Sequence, residues 1–329
     1  MMDNYGFYTG KSFDAYEFFG CHTDENGAVF RVFAPAAVRI SVIGEFNGWQ
    51  DTPMNKIGDG NFWAVYIEGV KPGQMYKYKI YKPDGSCMDH CDPYGYGMEL
   101  RPASASIVRN LYGYEFQDDA WMKRRSNGVA SALNIYEIHA GSWKKPQNGW
   151  YRYDELATQL VPYLKEYGYN YIELLPIGEH PCDESWGYQC SGFYSPTSRY
   201  GTLDDYKKMI DILHHNDIGV IMDFVPVHFA LDAYALAKFD GTALYEYPHK
   251  DVGNSEWGSC NFMHSRGEVR SFLQSCANYW LKEYHVDGLR MDAISNMIYW
   301  QGNPARGVNK DAVVFLQNMN EGLVNRNSG

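Results

Sequence analysis

Several things are scarce in this sequence. Basic charge is one: 29 Lys and Arg stand against 40 Asp and Glu, a net charge of −11. With no surplus of cations to neutralise phosphates, a nucleic acid is not expected as a partner. Long apolar runs are missing too. No stretch approaches 18 apolar residues, so neither a membrane-spanning helix nor a membrane partner is expected. The opening MMDNYGFYTGKSF has no basic start and no apolar run. No secretory signal is therefore expected, and the expected compartment is the cytoplasm. Paired cysteines are absent. The seven Cys at 21, 87, 91, 182, 190, 260 and 276 are scattered, and Cys87 and Cys91 have no second pair to complete a zinc site. Reduced thiols are expected, with no metal and no other cofactor. There is also no internal repeat, no low-complexity segment and no glycine-rich phosphate turn.

Aromatic residues are abundant: 28 Tyr, 16 Phe and 9 Trp make up 16% of the chain. Flat amphipathic rings suit sugar faces, and they equally suit cores and interfaces. A neutral glucan fits the charge balance. Residues 28–115 hold short aromatic and β-branched runs, AVFRVFAP, VRISVIGEF, FWAVYIEGV and MYKYKIYKP. Turn signals such as Asn47-Gly48 and Pro83-Asp84-Gly85 separate them. That spacing predicts an antiparallel, immunoglobulin-like β-sandwich. Residues 1–27 read as a loosely attached arm, and 116–131 (FQDDAWMKRRSNGVAS) as a linker.

From 132 to 329 the pattern alternates. LNIYEIHAGSW, YNYIELLP, IGVIMDFVPVHF and VDGLRMDAI read as strands, each followed by a helix-like segment. In two of these helices Leu156, Leu160, Val161 and Leu164, and Tyr206, Met209, Ile210 and Leu213, align on one face. Four consecutive βα units predict a parallel sheet. The loops after the second and third strands are long, about 25 and nearly 40 residues. With the missing phosphate turn, they favour the first four units of a (β/α)8 TIM barrel over a doubly wound sheet. The fold class is thus multidomain, β then α/β.

Active sites of such barrels lie at the C-terminal ends of the strands. Asp223 and His228 stand at the end of the third, Arg290 and Asp292 at the end of the fourth. Residues two apart in a strand share a face, so Arg290 and Asp292 are expected to project together. An arginine there keeps the carboxylate ionised, as a nucleophile requires, although an Arg-x-Asp pair is also an ordinary internal salt bridge. Asp223, Asp287 and Asp292 are expected near one mouth. Asp223 is suited to accept bonds from sugar hydroxyls, His228 to donate one, and Tyr188 to stack on a sugar ring or merely to pack its loop. Glycosidic chemistry needs a second carboxyl as acid. None is convincing: Glu137 and Glu173 lie inside strands, and Glu179 and Glu184 in a loop.

DFVPVH (223–228), DGLRMDAIS (287–295) and WGYQCSGFYSPTSRYGT (186–202) resemble the α-amylase superfamily of retaining glycosidases and transglycosidases. Within it the chain is most similar to the 1,4-α-glucan (glycogen) branching enzymes, on IYEIHAGSW (135–143), LLPIGEHP (174–181), the segment 229–246 and DAISNMIY (292–299). GEFNGW (44–49) resembles the glycogen-binding sandwich that precedes these barrels, with Trp49 and Trp63 as candidate sugar platforms or core residues. The resemblance implies cleavage of α-1,4 links and transfer to a 6-hydroxyl by a retaining double displacement. Asp292 would be the nucleophile, Arg290 its holder, and Asp223, His228 and Tyr188 would line the subsite of the cleaved sugar. Its partners would be glycogen, starch and maltooligosaccharides. Val227 stands where many amylases carry a calcium-linked Asn, so no calcium site is expected.

The family's general acid, after the fifth strand, has no matching position. The expectation is a chain truncated within the barrel, inactive in branching by itself, with self-association through the incomplete barrel as one way to cover its edges. Two other functions remain: a related α-glucan hydrolase, debranching or trehalose-releasing, and a non-catalytic α-glucan-binding protein.

Overall fold

A computed structural model describes residues 3–125 and 132–327. The last part of the expected linker, 126–131, lies outside the described residues.

The N-terminal part is built from β1 (Gly20–Thr23), β2 (Gly27–Phe33), β3 (Arg39–Gly44), β4 (Thr52–Pro53), β5 (Asn55–Ile57), β6 (Phe62–Glu68), β7 (Met75–Tyr81), β8 (Cys87–His90) and β9 (Ser106–Ile107). They form two antiparallel sheets, β1-β2-β6-β5 and β4-β3-β7-β8, with β9 also on β7. MYKYKIY in β7 shows why: Tyr76, Tyr78 and Ile80 are buried and the residues between them are not. This period of two puts one face inward. Phe30 of one sheet meets Tyr76 of the other, with ring centres 5.0 Å apart. The predicted sandwich is present.

The first 27 residues are not a loose arm. Helix α1 (Asn4–Thr9) lies on the α/β part, where Ser271 Oγ donates to Phe7 O at 2.8 Å and Asn278 Nδ2 to Phe13 O at 3.0 Å. A Cβ on Gly267 would come within 1.9 Å of Tyr8 O, so this close approach requires glycine there. Strand β1 then pairs with β2. Both features were invisible as patterns because each is short and takes its partners from far along the chain.

After α2 (Asp119–Arg125) the α/β part runs β10 (Ile135–Ile138), α3 (Tyr153–Tyr167), β11 (Tyr171–Leu174), the hairpin β12 (Gly178–Glu179) and β13 (Gly192–Pro196), α4 (Leu203–His215), β14 (Gly219–Phe224), β15 (His228–Phe229), α5 (Lys250–Gly253), β16 (Cys260–Asn261), α6 (Gly267–Glu283), β17 (Gly288–Met291), α7 (Ile294–Ile298) and α8 (Lys310–Arg326). Strands β10, β11, β14 and β17 form one parallel sheet in that order. These are the four predicted βα units. Among the described residues the sheet does not close on itself, and β10 and β17 are its edges.

Helix α4 starts at Thr202, whose hydroxyl accepts from Asp205 N while Asp205 Oδ2 accepts from Thr202 N. That reciprocal cap satisfies two free N–H groups. Tyr206, Met209, Ile210 and Leu213 are all fully buried, as their spacing predicts. The two parts share one core. Tyr94 meets Tyr194 at 4.9 Å and Phe272 at 5.2 Å, and Tyr96 stacks on Tyr279 at 5.7 Å. Much of the aromatic surplus is spent at this seam.

Candidate active site

Four parallel strands end at one mouth, and side chains of three of them meet there. In register, Asp223 of β14 pairs with Arg290 of β17. The Arg290 guanidinium donates through Nη1 to Asp292 Oδ1 at 2.8 Å and to Asp223 Oδ2 at 3.1 Å. Its Nε lies 3.9 Å from Glu173 Oε1, on β11. From the loop after β11, the Tyr188 hydroxyl donates to Asp223 Oδ2 at 2.6 Å. The backbone N–H of Asp292 is pinned to Phe224 O at 3.0 Å. Ala293, directly after it, takes a left-handed φ of 47°, which turns the chain away and leaves the carboxylate at the mouth.

Burial and charge divide these groups. Asp223, whose side chain is 1% exposed, is pushed up to about 7 by burial, helped by neighbouring Glu173 and opposed by Tyr188 and Arg290. Its Oδ1 is buried without a partner among the described residues. Burial and the bond to Asp223 raise the Tyr188 phenol, which stays protonated. Burial works against the Arg290 charge, but Asp223 and Asp292 outweigh it and hold the group above its ordinary value. His228 is pushed down to about 4 by burial, so it is neutral at pH 7.

A cavity of about 360 Å³ opens here, walled by Tyr188, Gln189, His228, Trp257 and Asp292. That volume suits one or two sugar rings and lies within the usual range for ligand sites. The arrangement presents an arginine-held carboxylate, a neutral imidazole and aromatic walls to whatever enters. Among the described residues, no group of three or more His, Cys, Asp or Glu is gathered to hold a metal ion.

All five expected site residues, Tyr188, Asp223, His228, Arg290 and Asp292, come together. Asp287 does not. It precedes β17, at the opposite end from Asp292, where its carboxylate accepts from Trp121 Nε1 at 2.8 Å and Val220 N at 2.7 Å and faces His214 at 3.0 Å. Strand direction explains this: residues before and after a strand lie at its two ends. Trp63 is 4% exposed and donates its indole N–H to Ala34 O at 3.0 Å. It is a core residue and offers no face to a sugar. Trp49 is 41% exposed and remains a candidate platform. Sequence reasoning missed Trp257 and Gln189. Trp257 reaches the site only because the loop after β15 folds back, and no local pattern reports that.

An open sheet of βα units lies behind a β-sandwich, and its strand ends carry an arginine-held carboxylate. The profile of Carbohydrate-binding module 48 (Isoamylase N-terminal domain) matches residues 18–95, and that of Alpha amylase, catalytic domain, matches 156–251. The chain is similar to 1,4-α-glucan branching enzymes. It is 45% identical to 1,4-alpha-glucan branching enzyme GlgB of Fusobacterium nucleatum subsp. nucleatum, over 98% of this chain and 53% of that protein. With GlgB of Bacillus caldolyticus the identity is also 45%, over 98% of this chain and 50% of the relative. A solved structure from Salmonella typhimurium, named for alpha amylase, superposes with a TM-score of 0.72 at 26% identity, covering 92% of this chain and 47% of that one. The chain thus spans about half the length of the curated relatives it matches.

Proposed function

We propose that the chain carries the nucleophile side of an α-glucan branching site. Residues 28–115 would be the glucan-holding module and 132–329 the catalytic part, acting in the cytoplasm on glycogen, starch or maltooligosaccharides. The observation that carries the reading is the Tyr188–Asp223–Arg290–Asp292 constellation at the wall of a sugar-sized cavity. In the first half-reaction an Asp292 oxygen bonds to the anomeric carbon as the α-1,4 C–O bond breaks, and the departing oxygen takes a proton from an acid. In the second, a 6-hydroxyl of another chain gives its proton to the conjugate base of that acid, displaces Asp292 and forms an α-1,6 link with the same anomeric configuration. Arg290 holds the Asp292 carboxylate in place for the first step through its 2.8 Å bond.

The acid is the missing part. Among the carboxyls described, Glu179 is bound by Arg199 at 2.7 Å and by Ser198, and Glu173 faces Arg290. The 329 residues alone are therefore expected to bind glucan without transferring it. In a protein completed by an acid-bearing half, Asp292→Asn should abolish branching, read as new α-1,6 links, and leave glucan binding nearly intact. Retained turnover would sink the nucleophile assignment, as α-1,6 transfer by the 329-residue chain would sink the inactivity. Without such a half, the chain would serve as a non-catalytic glucan-binding protein. The open edges β10 and β17 also favour self-association; a strictly monomeric profile in sedimentation equilibrium would exclude it.

A further inference from the structure

A chain of hydroxyls reaches His228 from the turn 255–259, just before β16. Ser255 Oγ accepts two backbone N–H bonds, from Trp257 at 3.2 Å and Ser259 at 3.1 Å. A hydroxyl has two acceptor lone pairs and one proton. With both lone pairs engaged, Ser255 directs its proton to Ser259 Oγ, 2.5 Å away. Ser259 then directs its own proton to His228 Nδ1 at 2.6 Å. Nδ1 must be the unprotonated nitrogen. Burial keeps the ring neutral, so its single proton is on Nε2. That nitrogen has no protein partner among the described residues and is not sealed from solvent. The ring itself lines the cavity beside Asp292.

The same turn seats Trp257. Its N–H is held by Ser255, and its carbonyl accepts from Gln189 Nε2 at 3.0 Å. The indole is tilted over His228 with ring centres 5.3 Å apart, is 44% exposed, and lines the same cavity. A donor nitrogen beside a flat apolar face is the pairing that a sugar ring demands: a hydroxyl to accept the bond and C–H groups to stack.

We propose that Ser255 and Ser259 are positioning residues that lock His228 as an Nε2–H donor toward a ligand hydroxyl and hold Trp257 as the stacking wall of the same subsite. Only the identity of the ligand, a glucosyl ring next to the bond cut at Asp292, rests on the branching reading. The tautomer does not depend on it.

Nitrogen-15 NMR of the histidine rings in the 329-residue chain tests this. At neutral pH, His228 Nδ1 should resonate as an acceptor nitrogen and Nε2 as a protonated one. Ser259→Ala should give a mixture of tautomers, and Ser259→Thr should restore the single form. Adding a maltooligosaccharide should shift the Nε2–H signal and change Trp257 emission, with binding weakened about tenfold in Ser259→Ala, the worth of one hydrogen bond. A proton on Nδ1 in the unaltered chain would overturn the proposal without any variant having to fold. An unchanged tautomer in a folded Ser259→Ala chain would also overturn it. If the tautomer behaves as stated but the sugar moves neither signal, the relay stands and the glucan reading fails.

Discussion

Three influences meet at Asp223. Burial disfavours its charge, Glu173 adds like charge, and Tyr188 with Arg290 pulls the other way. The Tyr188 bond at 2.6 Å is the only one of these that a single hydroxyl supplies. Tyr188→Phe should therefore raise the protonation midpoint of Asp223 further above about 7. A carboxyl carbon-13 titration reads this directly, and a midpoint that stays or falls would refute the account. The sequence signals DFVPVH and DGLRMD were enough to name Asp223, Arg290 and Asp292, because strand ends and two-residue spacing are local properties. Which of the carboxylates is buried is not local. Asp223 is covered and Asp287 is engaged at the other end of the strand, although all three looked alike in the sequence.

At the scale of elements, the segment before α2 and α2 itself are fastened to the base of the sheet around one imidazole. His214 of α4 lies between two carboxylates, Asp118 Oδ2 at 2.7 Å and Asp287 Oδ2 at 3.0 Å, with its side chain fully buried. Trp121 stacks on it at 4.9 Å, His285 shares Asp118, and Arg125 shares Asp287. Burial opposes its charge, but the two carboxylates outweigh it and raise its proton affinity. Asp118 is held well below its usual range by His214 and His285, against burial. The signs follow. A raised histidine stabilises the fold fully below its unfolded value of 6.5 and loses that contribution as pH rises through the folded value. A depressed Asp118 stabilises it above the unfolded 3.8 and loses the contribution as pH falls toward its folded value. Urea midpoints should therefore be highest from weakly acid to neutral pH and fall on both sides. His214→Ala should cost roughly 1–3 kcal/mol, since it takes one bond from each of two buried carboxylates while Asp118 keeps His285 and Asp287 keeps Arg125, Trp121 and Val220. A variant that loses less than about 1 kcal/mol would show, on the same ground, that the clamp is not what holds this segment. None of this was legible in DDAW or LHHND, where the residues look like an ordinary polar linker and helix end.

On the scale of the whole molecule, the sandwich and the α/β part are joined by a continuous core. Tyr16, Tyr94, Tyr96, Tyr194 and Tyr279 interlock across it, and the Tyr16 hydroxyl donates to Glu283 at 2.8 Å. Shared burial of this kind couples the unfolding of both parts. Calorimetry should show one cooperative transition, and Tyr279→Ala should lower it by roughly 3–5 kcal/mol of stability, the usual cost of removing a buried aromatic. Two separate transitions in the unaltered chain would contradict the coupling.

The amino-acid pattern by itself determined the strand runs of the sandwich, the four βα units and the placing of Asp223, His228, Arg290 and Asp292 at strand ends. Each of these is written in periodicities or spacings of a few residues, which the backbone geometry of strands and helices imposes locally. Only the tertiary structure decided that α1 docks on α6, that Trp63 is core, that Asp287 serves the base of the sheet, and that the turn 255–259 returns to set His228. Those outcomes depend on contacts between residues tens to hundreds of positions apart, and burial, the quantity that shifts proton affinities and selects hydrogen-bond partners, exists only once such contacts have formed.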